Sequence, residues 1–439
     1  MKKTISGRVI VTYGRSLIAL MIARSLAPRG VEVIGCDDVD MTALSFSKYV
    51  KENVRYKNPE EDEKAFIDSL EEIIKKFKPE GDMPYVLMPS FREAKIIARY
   101  KERLGKHITV ATPDASCIDA VMPKNHFAKT VKKHDIEAPQ TWVVSDVDDL
   151  DTIIKEAKFP VFVKPSDDVG GRGVEQIKNK EDLQPALKAL RKDYPNQEIL
   201  VQEAAKGVDY CFCGLYKDGK RLASMVYHNI RKFPRKSGPG VVRKAVDPQK
   251  FNPLADKLME ALKWDGVVEV DFMWDEKEEN TPQIIEVNPR FWSSLDHSIR
   301  SGIDFPWLLW QMLAEGKTDF DDEAKVGHTT KVPQLSDLAK YEAFFGDALD
   351  VDALTDKWPD IEQRLKDGNL WSAVKLFVNS ASDVVQLDKA YEMFKAMGAE
   401  NKDADELPYT KDDPLVVLGG LFVVGSLLRH GKLPPEVKR

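Results

Sequence analysis

Over the first hundred residues the apolar positions alternate between two periods. Val9 to Val11 is a short continuous apolar run, Gly14 marks a turn, and Leu17, Leu20, Met21 and Leu26 recur at the spacing of one helix face. Gly30 ends that helix, and Val31 to Cys36 starts a second buried strand. The same alternation predicts a helix near 63–76, a strand at 85–88, a helix near 92–103 and a strand at 107–111. Residues 1–112 are therefore expected to form a small doubly wound α/β domain. From Thr141 to Glu203 the pattern reads strand, helix, strand, glycine loop, strand, helix, strand. That predicts an α+β lobe, which with a linker helix spans 113–205. After Gly207 the signals are those of hairpins: 210–216 and 222–227 around Asp218-Gly219, then 267–274 and 283–288 around a loop. Helices at 251–263 and 306–315 close this antiparallel lobe, giving 206–317. Residues 318–439 carry acidic and amphipathic stretches without repeats and are expected to be a helical appendage of unknown role.

Composition narrows the class. The chain has 439 residues, with 65 basic against 72 acidic and a net charge of −7, an ordinary globular balance that gives no sign of a nucleic-acid partner. The N-terminal apolar run Leu17 to Ala23 is closed by Arg15 and Arg24, unlike a signal peptide. The longest apolar run, Leu415 to Leu428, has 14 residues including three glycines, where a spanning helix needs about 20, so no transmembrane span is expected. A membrane-associated assembly factor is the function class that this run would serve. Four scattered cysteines (Cys36, Cys117, Cys211, Cys213) make neither a disulfide framework nor a zinc site, which points to a reducing, cytoplasmic setting.

Five segments are candidates for chemistry. The first turn, Tyr13-Gly14-Arg15-Ser16, has one glycine where a dinucleotide fingerprint needs three, so it reads as a structural βα turn. Lys164 ends an apolar strand and is followed by Asp168, Gly170, Gly171 and Gly173. A fixed cation beside backbone N–H groups that can approach closely suits a polyphosphate, and a flexible hairpin with a solvated lysine is the alternative. Gln202-Glu203-Ala204-Ala205, with Asp209 beyond, is a crossing between lobes whose free backbone donors and acceptors could read an adenine edge, or an ordinary linker. Glu269 and Asp271 stand two apart on one apolar strand, and Glu286 and Asn288 two apart on another. If the two strands pair, three carboxylates and an amide converge, an all-oxygen set for Mg²⁺, with Arg290 placed to hold a phosphoryl group. The stretch 228–244 carries Arg231, Lys232, Arg235, Lys236, Arg243 and Lys244 without an acid and includes Ser237 and Gly238. It could bind a carboxylate substrate or be a solvated loop.

Taken in this order, the segments resemble the ATP-grasp superfamily, in particular its carboxylate-amine ligases related to the carbamoyl-phosphate synthase large chain and to D-aspartate ligase. The likeness covers about residues 5–315. Its most specific piece is Glu286-Val-Asn-Pro-Arg290 following Asp271, and Pro89-Ser90-Phe91-Arg92-Glu93 also matches this branch. The resemblance implies an ATP-grasp fold, in which an N-terminal α/β domain shapes the substrate cleft and two α+β lobes clasp ATP. It further implies that Lys124 and Lys164 contact ATP phosphates, that Asp168 to Gly173 form the lid loop, that Gln202, Glu203 and Ala205 meet adenine, and that Asp209 meets the ribose. Asp271, Glu286 and Asn288 would hold Mg²⁺, with Mn²⁺ as a substitute, and Arg290 would reach the γ-phosphate or an acyl-phosphate. Ala204-Ala205 departs from the bulkier apolar pair often found there. The implied activity is ADP-forming ligation of a small carboxylate to an amine, with a homodimer as an admissible assembly. A non-catalytic ATP-binding or regulatory protein on the same fold is the alternative, which retention of all four residues at Asp271, Glu286, Asn288 and Arg290 disfavours. His126 and His297 lie near these motifs and are expected to be structural.

Overall fold

The computed structural model describes residues 6–40, 42–144, 149–167, 173–232, 240–278 and 281–332, with isolated positions at 360, 363–364, 372, 405–406 and 413. The chain divides into two units, one of residues 1–228, 245–327 and 408–439 and one of residues 229–244 and 328–407.

The first unit begins with a five-stranded parallel sheet of β1 (Gly7–Val11), β2 (Val31–Asp37), β3 (Glu52–Arg55), β4 (Tyr85–Met88) and β5 (Thr109–Val110), in the order β3-β2-β1-β4-β5. Parallel strands covered on both faces need apolar residues on both, and β1 shows this directly. Val9 and Val11 join the cluster that contains α1 (Leu17–Leu26), while Ile10 packs among Phe66, Ile67 and Leu70 of α2 (Glu63–Lys76). Ser16 and Asp62 accept from the third backbone N–H of their helices, at 3.0 and 2.9 Å, and so fix where α1 and α2 start. The helix expected over 92–103 is two pieces, α3 (Glu93–Arg99) and α4 (Lys101–Leu104).

Two short helices, α5 (Ala115–Val121) and α6 (Lys124–His134), lead to a four-stranded antiparallel sheet of β6 (Thr141–Val144), β7 (Val161–Pro165), β8 (Glu175–Ile177) and β9 (Ile199–Glu203), in the order β6-β9-β7-β8. Helices α7 (Asp149–Glu156) and α8 (Leu183–Asp193) belong to the same lobe, whose core holds Val161, Val163, Val201, Leu183, Leu187 and Leu190.

The next strands are β10 (Val208–Lys217), β11 (Lys220–Lys232), β12 (Gly240–Val246), β13 (Gly266–Trp274) and β14 (Gln283–Asn288). Asp218 and Gly219 take φ of 50° and 78°, the left-handed pair that a two-residue hairpin demands, and join β10 to β11. Alternation along β10 and β13 sorts the two faces. Phe212, Tyr216, Val268, Val270 and Phe272 pack with Ala255, Leu258 and Met259 of α9 (Asn252–Leu262). Cys211, Cys213, Leu215 and Val267 face the opposite core, which also takes α1, α10 (Leu295–Arg300) and α11 (Phe305–Glu315).

In the second unit, β15 (Thr329–Lys331) pairs antiparallel with β12, Val242 opposite Lys331, and parallel with β16 (Asp405–Glu406). These short strands fall in the stretch expected to be a helical appendage, most of which lies outside the described residues. Thr329 and Thr330 are β-branched and suit a pleated surface, but two threonines leave no periodic signal, and the partner strand lies far away in sequence. The apolar run 415–428 lies outside the described residues. Among the described residues, no helix is long and apolar enough to cross a membrane.

Candidate active site

The site is built on the face of β13 and β14 turned away from α9. Glu269 stands opposite Asn288 and Asp271 opposite Glu286. Directly opposed residues of an antiparallel pair share a face, as do residues two apart, so all four project together. A bulge after Asp271, with Phe272 opposite Ile284, bends the strand just where the acids cluster. On the other flank β10 sets Cys211 opposite Asp271 and Cys213 opposite Glu269. Cys211 Sγ and one carboxylate oxygen from each of Glu269 and Asp271 lie within 4.8 Å of one another. Buried Glu269 accepts from the Tyr227 hydroxyl at 3.1 Å. Asn288 Nδ2 donates to Asp271 at 3.4 Å, and Asn288 Oδ1 accepts from the Arg290 guanidinium at 3.0 Å.

Burial, and then the neighbouring Glu269 and Glu286, pushes the Asp271 carboxyl well above the usual carboxylate range. Burial likewise raises the Cys211 thiol, with Asp271 and Glu269 adding to it. Carboxylates crowded in this way carry a charge that a divalent cation relieves. The candidate ligand atoms that lie together are those of Cys211, Glu269 and Asp271, and Asp271, Glu286 and Asn288 on the same face are of the oxygen-donor types that suit Mg²⁺ or Mn²⁺.

Two lysines face this cluster. Lys124 opens α6; its N–H donates to Ser166 O at 2.9 Å, and its ammonium lies 3.3 Å from Glu286 Oε1. Lys164, on β7, is 9% exposed and donates to Gln202 Oε1 at 2.7 Å. Burial first, then the cation of Lys124, pushes Lys164 down to about 8, against the pull of Glu286. A desolvated ammonium beside a second one is a place short of negative charge, which a polyphosphate supplies.

The crossing from β9 to β10 is more tied down than the sequence implies. The Gln202 amide is engaged at both ends, by Lys164 and by Thr141 Oγ1 at 2.8 Å. Glu203 and Ala204 donate their N–H groups to Gln140 O and Pro160 O at 2.9 and 3.1 Å, and the Glu203 carboxylate accepts from Lys158 N at 2.8 Å. Free donors through 203–204 are thus replaced by bonds that prolong the β9 pairing. Ala205 is half-buried, and Asp209, on β10, has its carbonyl oxygen 3.1 Å from His228 Nδ1. Gly173 has φ 62°. Asp168, Gly170, Gly171, Arg235, Ser237 and Gly238 lie outside the described residues, and Arg231 belongs to the second unit. His126 Nδ1 lies 2.8 Å from Asp119 O, and buried His297 packs edge-on to Tyr227 at 5.3 Å.

Local sequence does not mark Thr141, Tyr227 or the approach of Phe91 to Arg290 as parts of this site. Thr141 reaches Gln202 across 61 positions and Tyr227 reaches Glu269 across 42, and nothing local in the sequence marks such contacts.

Residues 121–294 match the family model of the ATP-grasp domain. A curated relative, the C-terminal section of the carbamoyl phosphate synthase large chain from Methanopyrus kandleri, is 25% identical over 193 residues, which are 42% of this chain and 35% of the relative. The chain thus matches about a third of that relative's length. Similar solved structures include the biotin carboxylase domain of Hydrogenobacter thermophilus 2-oxoglutarate carboxylase, in complex with MgADP, ADP and bicarbonate (TM-score 0.57, 19% identity, 73% of each chain). N5-carboxyaminoimidazole synthetase from Staphylococcus aureus complexed with ADP gives a TM-score of 0.59 at 16% identity, over 78% of this chain and 87% of that one. L-amino acid ligase from Bacillus licheniformis gives 0.55 at 17%, over 74% and 79%. At these identities the likeness is one of fold.

Proposed function

We propose, from the match of residues 121–294 to the ATP-grasp domain model, that this chain is an ATP-dependent ligase of the ATP-grasp superfamily. In this reading an oxygen of a small carboxylate attacks the γ-phosphorus of ATP; the bond to the β–γ bridging oxygen breaks, and ADP leaves. An amine nitrogen then attacks the acyl carbon, loses a proton and expels phosphate. The observation that carries the reading is the single polar face on which Asp271, Glu286, Asn288 and Arg290 converge, with the Lys124 ammonium 3.3 Å from Glu286.

The chain's own groups would act by position and charge. Lys124 and Lys164 would hold phosphate oxygens, and Arg290 would meet the charge that builds on the transferring group. Asp271, Glu286 and Asn288 would hold Mg²⁺, which when bound neutralises phosphate charge. Glycines in 170–173 would cover the far phosphates and exclude water from the acyl-phosphate. Gln202, Glu203, Ala205 and Asp209 are proposed to border the nucleoside, and Arg231, Arg235, Ser237 and Gly238 to take the substrate carboxylate. Four buried free thiols accord with a reducing, cytoplasmic setting.

Carboxylate and amine pairs, including bicarbonate and amino acids, should be screened for nucleotide products by ion-exchange chromatography. ADP and phosphate are expected. AMP and pyrophosphate as the main products would overturn the mechanism, and tight MgATP binding without turnover on any pair would favour a regulatory ATP-binding protein.

A further inference from the structure

Arg290 is held by more than its hydrogen bonds. Its guanidinium carbon lies 4.6 Å from the centroid of the Phe91 ring, which comes from the turn between β4 and α3. Phe91 stacks in turn on Tyr13, from the turn after β1, with centroids 5.2 Å apart and planes 22° from parallel. Arg15 lies 4.9 Å from the Tyr13 ring and is paired with Asp37 and Asp38. The result is a row of cation, ring, ring and cation that runs from Arg290 into the first domain. Exposed Arg92 also comes within 5.5 Å of the Phe91 ring.

The inner end of this row is fixed. Buried Glu93 accepts through Oε1 from Thr12 Oγ1 at 2.6 Å, from Ser90 N at 3.1 Å and from Phe91 N at 3.2 Å, and so staples the two turns together. Tyr13 has φ 57° and donates its N–H to the Tyr56 hydroxyl at 3.2 Å. A bulky residue keeps a left-handed backbone only where its surroundings over-determine it. Both turns lie beside the junction of β1 and β4, where the strand order reverses and an open α/β sheet leaves a crevice.

We propose that Phe91 is a positioning residue for Arg290: its ring fixes the plane of the guanidinium so that the fork presents its N–H groups to the γ-phosphate. This rests on the ligase reading above. A ring face attracts the cation without consuming the in-plane donors that a carboxylate partner would occupy. The guanidinium already donates to Asn288 Oδ1 and to the Phe291 carbonyl oxygen, at 3.0 and 2.9 Å, and the ring adds a hold on its plane that takes no further in-plane donor. Phe91 acts through Arg290 and touches no substrate.

The test compares the affinities of the full chain for the magnesium complexes of ADP and of adenosine 5′-(β,γ-imido)triphosphate, by calorimetry. The wild type is expected to prefer the triphosphate analogue, Phe91→Leu to lose about tenfold of that preference with its ADP affinity unchanged, and Phe91→Tyr to keep it. If Phe91→Leu does not fold, Phe91→Met is read in the same way. A leucine variant that keeps the preference overturns the proposal. So does an equal loss for both nucleotides, which marks a packing role. A wild type that binds MgADP without preferring the analogue removes Phe91's role but leaves ATP binding standing, whereas a wild type that binds neither nucleotide overturns the ligase reading itself.

Discussion

Lys164 and Glu286 show how far single side chains are set by what surrounds them. Lys164 is pushed from the ordinary lysine value of 10.5 to about 8 by burial and by Lys124. Its folded pKa is depressed, so its cost to stability is full below about pH 8 and is relieved as the pH rises towards 10.5. Bound phosphates favour the charged form. ATP binding at pH 8 should therefore take up about half a proton, read by calorimetry in buffers of different ionisation enthalpy, and affinity should fall as the pH rises above 8. Lys164→Ala is expected to weaken ATP binding and remove the uptake while the fold persists. Unchanged uptake would assign the proton elsewhere. Glu286 touches Lys124 and shares its face with Asp271. Glu286→Gln keeps the shape and removes a charge, so turnover should drop by at least about a hundredfold and its dependence on Mg²⁺ concentration should flatten.

At the scale of elements, the crossing from β9 to β10 turns on Gly207. Its φ is 93°, and a Cβ there would sit 2.0 Å from Trp274 O, so the close approach of this crossing to the end of β13 excludes any side chain. Gly207→Ala should cost at least about 2 kcal/mol, seen as a lowered Tm, and a neutral result would mean that the crossing rearranges freely. Local signals found the elements well where their cause is local. The Asp218-Gly219 turn and the alternation in β10 and β13 read directly from residue types. The break of the 92–103 helix at Tyr100 and the strand at Thr329–Lys331 did not, because the first is a change of backbone angle inside a helical pattern and the second exists only against strands distant in sequence, β12 and β16.

At the scale of the molecule, within the first unit, Asp413 joins the far end of the chain to the first domain. It is 2% exposed and accepts from Ser47 Oγ at 2.7 Å, from Lys48 N at 3.1 Å and from Arg24 at 3.3 Å. Removing the carboxylate strands desolvated donors. Asp413→Ala should therefore destabilise the fold by about 3 kcal/mol, measured as a fall in Tm, and no change would show that the contact is not made in solution. No periodicity marks Asp413, which stands in an acidic stretch beside Asp412.

Periodicity and spacing determined by themselves most of the helices and strands in the first 317 residues, but marked neither β3 nor β12 nor α10. They also determined that Glu269 shares a face with Asp271, and Glu286 with Asn288. These are properties of a short segment: burying one face requires the apolar pattern whatever the partner is. Only the tertiary structure decided that Asp271 meets Glu286 across the strands, that Lys124 reaches Glu286, that Gln202 is spent on Lys164 and Thr141, and that Arg290 lies over Phe91. Register, bulges and side-chain pairing depend on segments far apart in the chain, whose meeting is fixed by how whole cores close and leaves no mark on either segment alone.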